Sequence, residues 1–87
     1  MKKIPDEQLR AVSQTHGFNA QTDLELRAIA SNSFYMGAMA MKHELKQLDS
    51  KTVRQKARKY SKECYYSSDR QEIAERSYVA GAAYMFV

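Results

Sequence analysis

Apolar residues recur at three- and four-residue spacing through most of the chain and sort into four helical segments. The strongest pattern runs from Thr22 to about Leu48. Leu26, Ile29, Ala30, Ser33, Gly37, Ala40, Met41, Glu44 and Leu48 share one face, and Phe34, Tyr35, Met36 and Met39 carry apolar character around the cylinder. A helix apolar on several sides must be covered on several sides, so this second helix is predicted to be central. Thr22-Asp23-Leu24-Glu25 reads as a capping box at its start.

A first helix is predicted from Pro5 to about Thr15. Pro5 suits its first position, Asp6 and Glu7 its positive end, and Gly17 a left-handed stop. Leu9 and Val12 give it a narrow apolar stripe, with Ile4 and Phe18 placed to staple it to the body. Asp49-Ser50 can cap a third helix from Lys51 to about Tyr65, with Val53, Ala57, Tyr60 and Cys64 facing inward. Ser67 or Ser68 opens a fourth, with Ser68-Asp69-Arg70-Gln71 as a second capping box. It continues through Ile73, Ser77, Ala80, Gly81 and Tyr84 to Val87.

The second and fourth helices resemble each other. At an offset of 44 residues, Ile29 to Met41 matches Ile73 to Met85 at six of thirteen positions, and Phe34 stands against Tyr78 as a similar pair. Convergent core composition and ancient duplication of a helix pair both account for such a match. Either way, Ser33/Gly37 and Ser77/Gly81 are small residues four apart. They allow two backbones to approach, so the two helices are predicted to cross near Gly37 and Gly81. The expected architecture is all-α: a compact four-helix domain spanning residues 1–87, with helices two and four as its core.

Composition narrows the function classes. One Cys rules out a disulfide framework or a cysteine-based zinc cluster, and three Gly with one Pro rule out a turn-rich β-sandwich or barrel. No apolar run approaches the roughly 18 residues of a membrane span, so a cytoplasmic protein with no membrane contact is expected. His16, His43 and Cys64 share no spacing that builds a catalytic or zinc-binding group. His43-Glu44 lacks the second histidine of the metalloprotease signature. No catalytic residue, metal or cofactor is therefore predicted. A helix-turn-helix register starting at Thr52 fails because Lys62 and Ser67 fall where its core needs apolar residues.

Charge is the most informative feature. Lys51, Arg54, Lys56, Arg58, Lys59 and Lys62 are six of the fourteen basic residues, with no acid among them, in a chain of net charge +4. Lys51, Arg54, Arg58 and Lys62 form a stripe about 17 Å long at 1.5 Å per residue. Tyr60, Tyr65 and Tyr66 stand at its end, where tyrosine can stack on unpaired bases. Ordinary surface helices mix signs in i,i+4 pairs, and the stretch from Lys51 to Lys62 holds no acid to form one. A solvated face is the plain reading of such a run. The functional expectation is a small non-catalytic binder of RNA or single-stranded nucleic acid that modulates a larger machine. The alternative is an inhibitor or adaptor of phage or mobile-element type, anti-defence-like, binding an acidic protein surface. The uncharged tip Tyr84-Met85-Phe86-Val87 needs cover, from the first helix or from a twofold partner, and a homodimer is the expectation.

Overall fold

The computed structural model describes residues 3–43 and 49–86, the last for its backbone alone, and consists there of four helices and no strand. They are α1 (Asp6–Ala20), α2 (Leu24–His43), α3 (Ser50–Cys64) and α4 (Ser68–Phe86). The predicted extension of α2 to Leu48 lies outside the described residues. α2 and α4 form the largest contact, with α1 laid on α2 and α3 on α4. The all-α fold and the central pair are as predicted.

All three glycines lie where backbones meet. A methyl group on Gly37 would fall against the Tyr78 peptide, with the carbonyl carbon 2.7 Å away, and one on Gly81 would meet the Phe34 carbonyl carbon at 2.8 Å. These are reciprocal contacts, because Gly37 and Gly81, like Phe34 and Tyr78, are 44 residues apart. Ten residues before the crossing, Arg70 Nη2 pairs with Glu25 Oε1 at 2.8 Å. Residues that far from a contact meet only if the two helices approach it in the same general direction.

The same offset relates the rest of the fold. α1 and α3 begin and end 44 residues apart, and their C-caps Gln21 (φ −137°, ψ 153°) and Tyr65 (φ −136°, ψ 146°) share one conformation. The residues α1 buries (Leu9, Ser13, Gly17) stand opposite those α3 buries (Val53, Ala57, Ser61). Asp23 accepts from the Leu26 amide and Ser67 from the Arg70 amide, each at 3.2 Å. Arg27 Nε donates to the Gln21 carbonyl at 2.7 Å and Gln71 Nε2 to the Tyr65 carbonyl at 2.8 Å. The chain is two equivalent helical hairpins paired about a pseudo-twofold at the α2–α4 crossing.

Several local predictions are corrected. α1 runs on through Gly17 to Ala20, and no described glycine has positive φ. Gly17 is needed for proximity, since a methyl there would sit 2.5 Å from the Arg27 carbonyl oxygen of α2. Pro5 caps α1 from outside, with its carbonyl accepting from Leu9 N at 3.0 Å. Asp23, not Thr22, caps α2, because its carboxylate reaches the amides of both Glu25 and Leu26. Gln71 is engaged by the Tyr65 carbonyl and closes no capping box. Cys64 is exposed and Ser61 takes the inward place, its hydroxyl satisfied by the Arg58 carbonyl at 2.9 Å. Ile4 is buried as predicted, whereas Phe18 stays 62% exposed beneath the Arg27 guanidinium at 4.0 Å.

Of the C-terminal tip, Met85 is covered from within and Tyr84 partly so. Met85 is fully buried in a cluster with Ile4, Leu9, Met41 and Val53, against which Tyr84 packs, and the Tyr84 ring lies 5.7 Å from Phe34. The surface expected to drive homodimerisation is therefore absent at Met85 and reduced at Tyr84. The Phe86 side chain and Val87 lie outside the described residues.

Candidate nucleic-acid interface

Asp49 starts the basic helix. Its carboxylate accepts from the Lys51 amide and from Thr52 Oγ1, each at 3.0 Å, and fixes the register of everything that follows. Burial of Val53, Ala57 and Ser61 against α4 then turns Lys51, Arg54, Arg58, Lys59 and Lys62 to solvent, with Lys56 half-buried. Among the described residues Lys51, Arg54 and Lys62 have no acidic partner. Arg58 Nε lies 3.2 Å from Glu75 Oε1 and Lys59 Nζ 4.0 Å from Glu63 Oε1. Both are solvent-exposed pairs of the kind that contributes about 0–1 kcal/mol, so either cation can exchange its partner for a phosphate at little cost.

The stripe borders a groove of about 350 Å³ between α3 and α4, lined by Arg54, Arg58, Glu75, Arg76 and Val79. Arg76, held 2.6 Å from Glu72, adds a cation that helical spacing could not assign, because it arrives from another helix. On the other flank of α3, Lys56 and Lys59 rim a second groove whose floor includes Met36, Met39 and Tyr60. The three tyrosines part company. Tyr60 is half-buried with its ring 5.2 Å from Tyr78, Tyr65 is half-buried edge-on to Tyr60 at 6.4 Å, and Tyr66 is fully exposed. Of the three, Tyr66 alone offers both ring faces.

Sequence reasoning missed a pair of polar contacts across the hairpins. His16 Nε2 shares a hydrogen bond with Ser77 Oγ at 3.1 Å, and its counterpart is Ser33 Oγ donating to Tyr60 Oη at 3.3 Å. His16 stacks on Phe34 at 4.6 Å as Tyr60 stacks on Tyr78. A histidine beside a serine invites a hydrolytic reading, but a tyrosine fills the same role in the other half and Ser77 is only 4% exposed. Satisfying a buried hydroxyl accounts for both contacts. Among the described residues no three His, Cys, Asp or Glu side chains converge on a metal site.

These contacts titrate. Burial holds His16 below its ordinary value of 6.5 and pushes the Tyr60 phenol up to about 12. A histidine with depressed pKa binds fewer protons folded than unfolded, so its share of stability is lost as pH falls below 6.5. A tyrosine with raised pKa holds its proton longer when folded, so its share is lost as pH rises from 10 towards 12. Thermal melts should therefore show a shoulder of falling stability on each side. His16→Gln should flatten the acid one and Tyr60→Phe the alkaline one.

No family model matches the chain, and no curated protein or solved structure is significantly similar to it. Fold and surface together define its class: an all-α protein of two pseudo-symmetric hairpins bearing one cationic helix. Among the described residues no helix is long and apolar enough to cross a membrane.

Proposed function

We propose that this protein is a non-catalytic binder of single-stranded nucleic acid that modulates a larger machine, engaging the phosphate backbone with α3. The observation that carries the reading is the contrast between the two outer helices. α1 builds the same element with the same buried positions, yet opposite Lys51, Lys56, Arg58, Lys59 and Lys62 it holds Glu7, Val12, Gln14, Thr15 and Phe18. Only Arg54 has a basic counterpart, Arg10. The hairpin thus forms in α1 without cations at five of the six positions, which favours a ligand as the reason for the stripe in α3. Tyr66 at the end of α3 supplies an aromatic face for an unpaired base.

Labelled RNA and DNA, single-stranded and duplex, titrated at two salt concentrations test the reading. Binding of the single strands that falls steeply with salt supports it, since released counterions are the signature of phosphate contacts. No binding at low salt overturns it and leaves the acidic protein partner, for which the same stripe would serve.

A further inference from the structure

The two hairpins also repeat their grooves. On α1, Val12, Thr15, His16 and Asn19 line a groove floored by Phe34, and on α3 the equivalent Lys56, Lys59, Tyr60 and Glu63 line one floored by Tyr78. The first is edged by neutral side chains. The second has two lysines on its rim and Met36 and Met39 of α2 beside Tyr60, with Met36 left 45% exposed. Where Met36 stands, the other half has Ala80. The α3 copy thus holds two lysines, of which Lys59 lies 4.0 Å from Glu63, and it adds α2 residues, a flexible thioether among them, whose α4 counterparts do not line the α1 copy.

Resting on the nucleic-acid reading, we infer that the α2–α3 groove is a nucleotide-binding site: one unpaired base lies against Met36, Met39 and Tyr60, and Lys56 and Lys59 hold its phosphates. The chemistry matches at both ends. Thioether sulfur is polarisable and packs well on aromatic rings, and a base offers a π-face whatever its sequence. Lysines three apart on a helix lie about 5–6 Å from each other, so the two ammonium groups can each meet a phosphate of one strand. Size selects the occupant. The groove is about 430 Å³, towards the small end of ligand sites of roughly 300–1,000 Å³. A partner helix would need far more than two methionines and one ring, because stable protein interfaces bury about 800 Å² on each side.

The test uses the full chain, methyl-labelled at methionine, with a short uridine oligomer and an abasic oligomer of the same length. The uridine oligomer should shift the Met36 and Met39 methyl signals and leave those of buried Met41 and Met85 in place. Met36→Ala installs the residue that the other hairpin already holds. It should weaken uridine binding about five- to tenfold, the lower end of what one stacked base contributes, and leave the abasic oligomer unaffected. Lys59→Thr, also copied from the other hairpin, should weaken both oligomers. Equal affinity of the two oligomers for the wild-type protein, or equal weakening of both by Met36→Ala, overturns the groove while phosphate binding by α3 stands. Failure of both oligomers to bind at low salt overturns both readings.

Discussion

Gly37→Ala and Gly81→Ala should each destabilise the protein by about 3 kcal/mol, against a total of about 4–13 kcal/mol for a chain of this length. The direction is the informative part. Alanine in place of a mid-helix glycine ordinarily gains about 1 kcal/mol of helix propensity. Here the added methyl group meets no side chain that could rotate away. Gly37 faces the Tyr78 peptide, with its carbonyl carbon at 2.7 Å and Cα at 2.9 Å, and Gly81 faces that of Phe34 and the Ala38 amide nitrogen at 3.0 Å. Relief requires α2 and α4 to separate along the whole core, which exceeds the usual overpacking cost of about 1–3 kcal/mol. Both methyl groups would open the same gap, so the double variant should cost less than the sum of the two. Gly17→Ala should cost less than either, about 1–2 kcal/mol, because α1 is an outer helix and Ser61 occupies the equivalent place on α3. Urea melts of the four variants check the order. A Gly37→Ala variant more stable than wild type would mean that the two backbones do not meet there.

The crossing was legible in the sequence because close approach of two long helices leaves small residues at fixed spacing, and glycine has few other reasons to stand in mid-helix. The hairpin repeat was only half legible. α2 and α4 share letters because both lie in the centre, where volume restricts the choice. In the outer helices the same roles pass between unlike residues: Ser13 and Ala57 fill one small space, Gly17 and Ser61 another, and His16 and Tyr60 each satisfy a serine of the opposite hairpin. Apolar periodicity cannot find Ser13 or Gly17 as buried residues, since neither is apolar enough to register. The stop assigned to Gly17 failed for the same reason, because a glycine needed for proximity looks in sequence like one needed for a turn.

The site divides in the same way. Spacing along one helix placed Lys51, Arg54, Arg58 and Lys62 on a common exposed face. It also grouped three tyrosines that the fold treats differently, because burial of Tyr60 depends on a residue of another helix. Tyr60 packs against Tyr78 of α4 with Tyr65 edge-on to it, and Tyr66 is left exposed. Arg76 and the methionines of the second groove reach α3 from other helices. Contributions from other helices have no periodicity to announce them.

Neutralising the stripe should remove binding without weakening the fold, and that separation is the sharpest consequence of the contrast between α1 and α3. In the variant Lys51→Glu/Arg54→Gln/Arg58→Gln/Lys62→Gln, two substitutions copy α1, which holds Glu7 and Gln14 at those positions. If the four side chains each meet a phosphate, wild-type affinity for a single strand should fall about fiftyfold over a fourfold rise in salt, from a slope of about −0.7 per contact. The variant should lose that share of the slope, keeping only what Lys56 and Lys59 supply, and bind no more tightly at low salt than the wild type does at high salt. Its stability should move the other way or hold. Arg54 and Arg58, Arg58 and Lys62, and Lys51 and Arg54 are like-charge neighbours on one helix face, each pair costing about 0.2–0.5 kcal/mol. A glutamate at position 51 also gains from the positive end of α3. Against this stands the exposed Arg58–Glu75 pair, which contributes at most about 1 kcal/mol. Melting at or above the wild-type temperature, together with lost binding, marks the stripe as kept for a ligand at the fold's expense. Unchanged binding, or a fall in melting temperature that matches the lost affinity, would return the stripe to a solvated face.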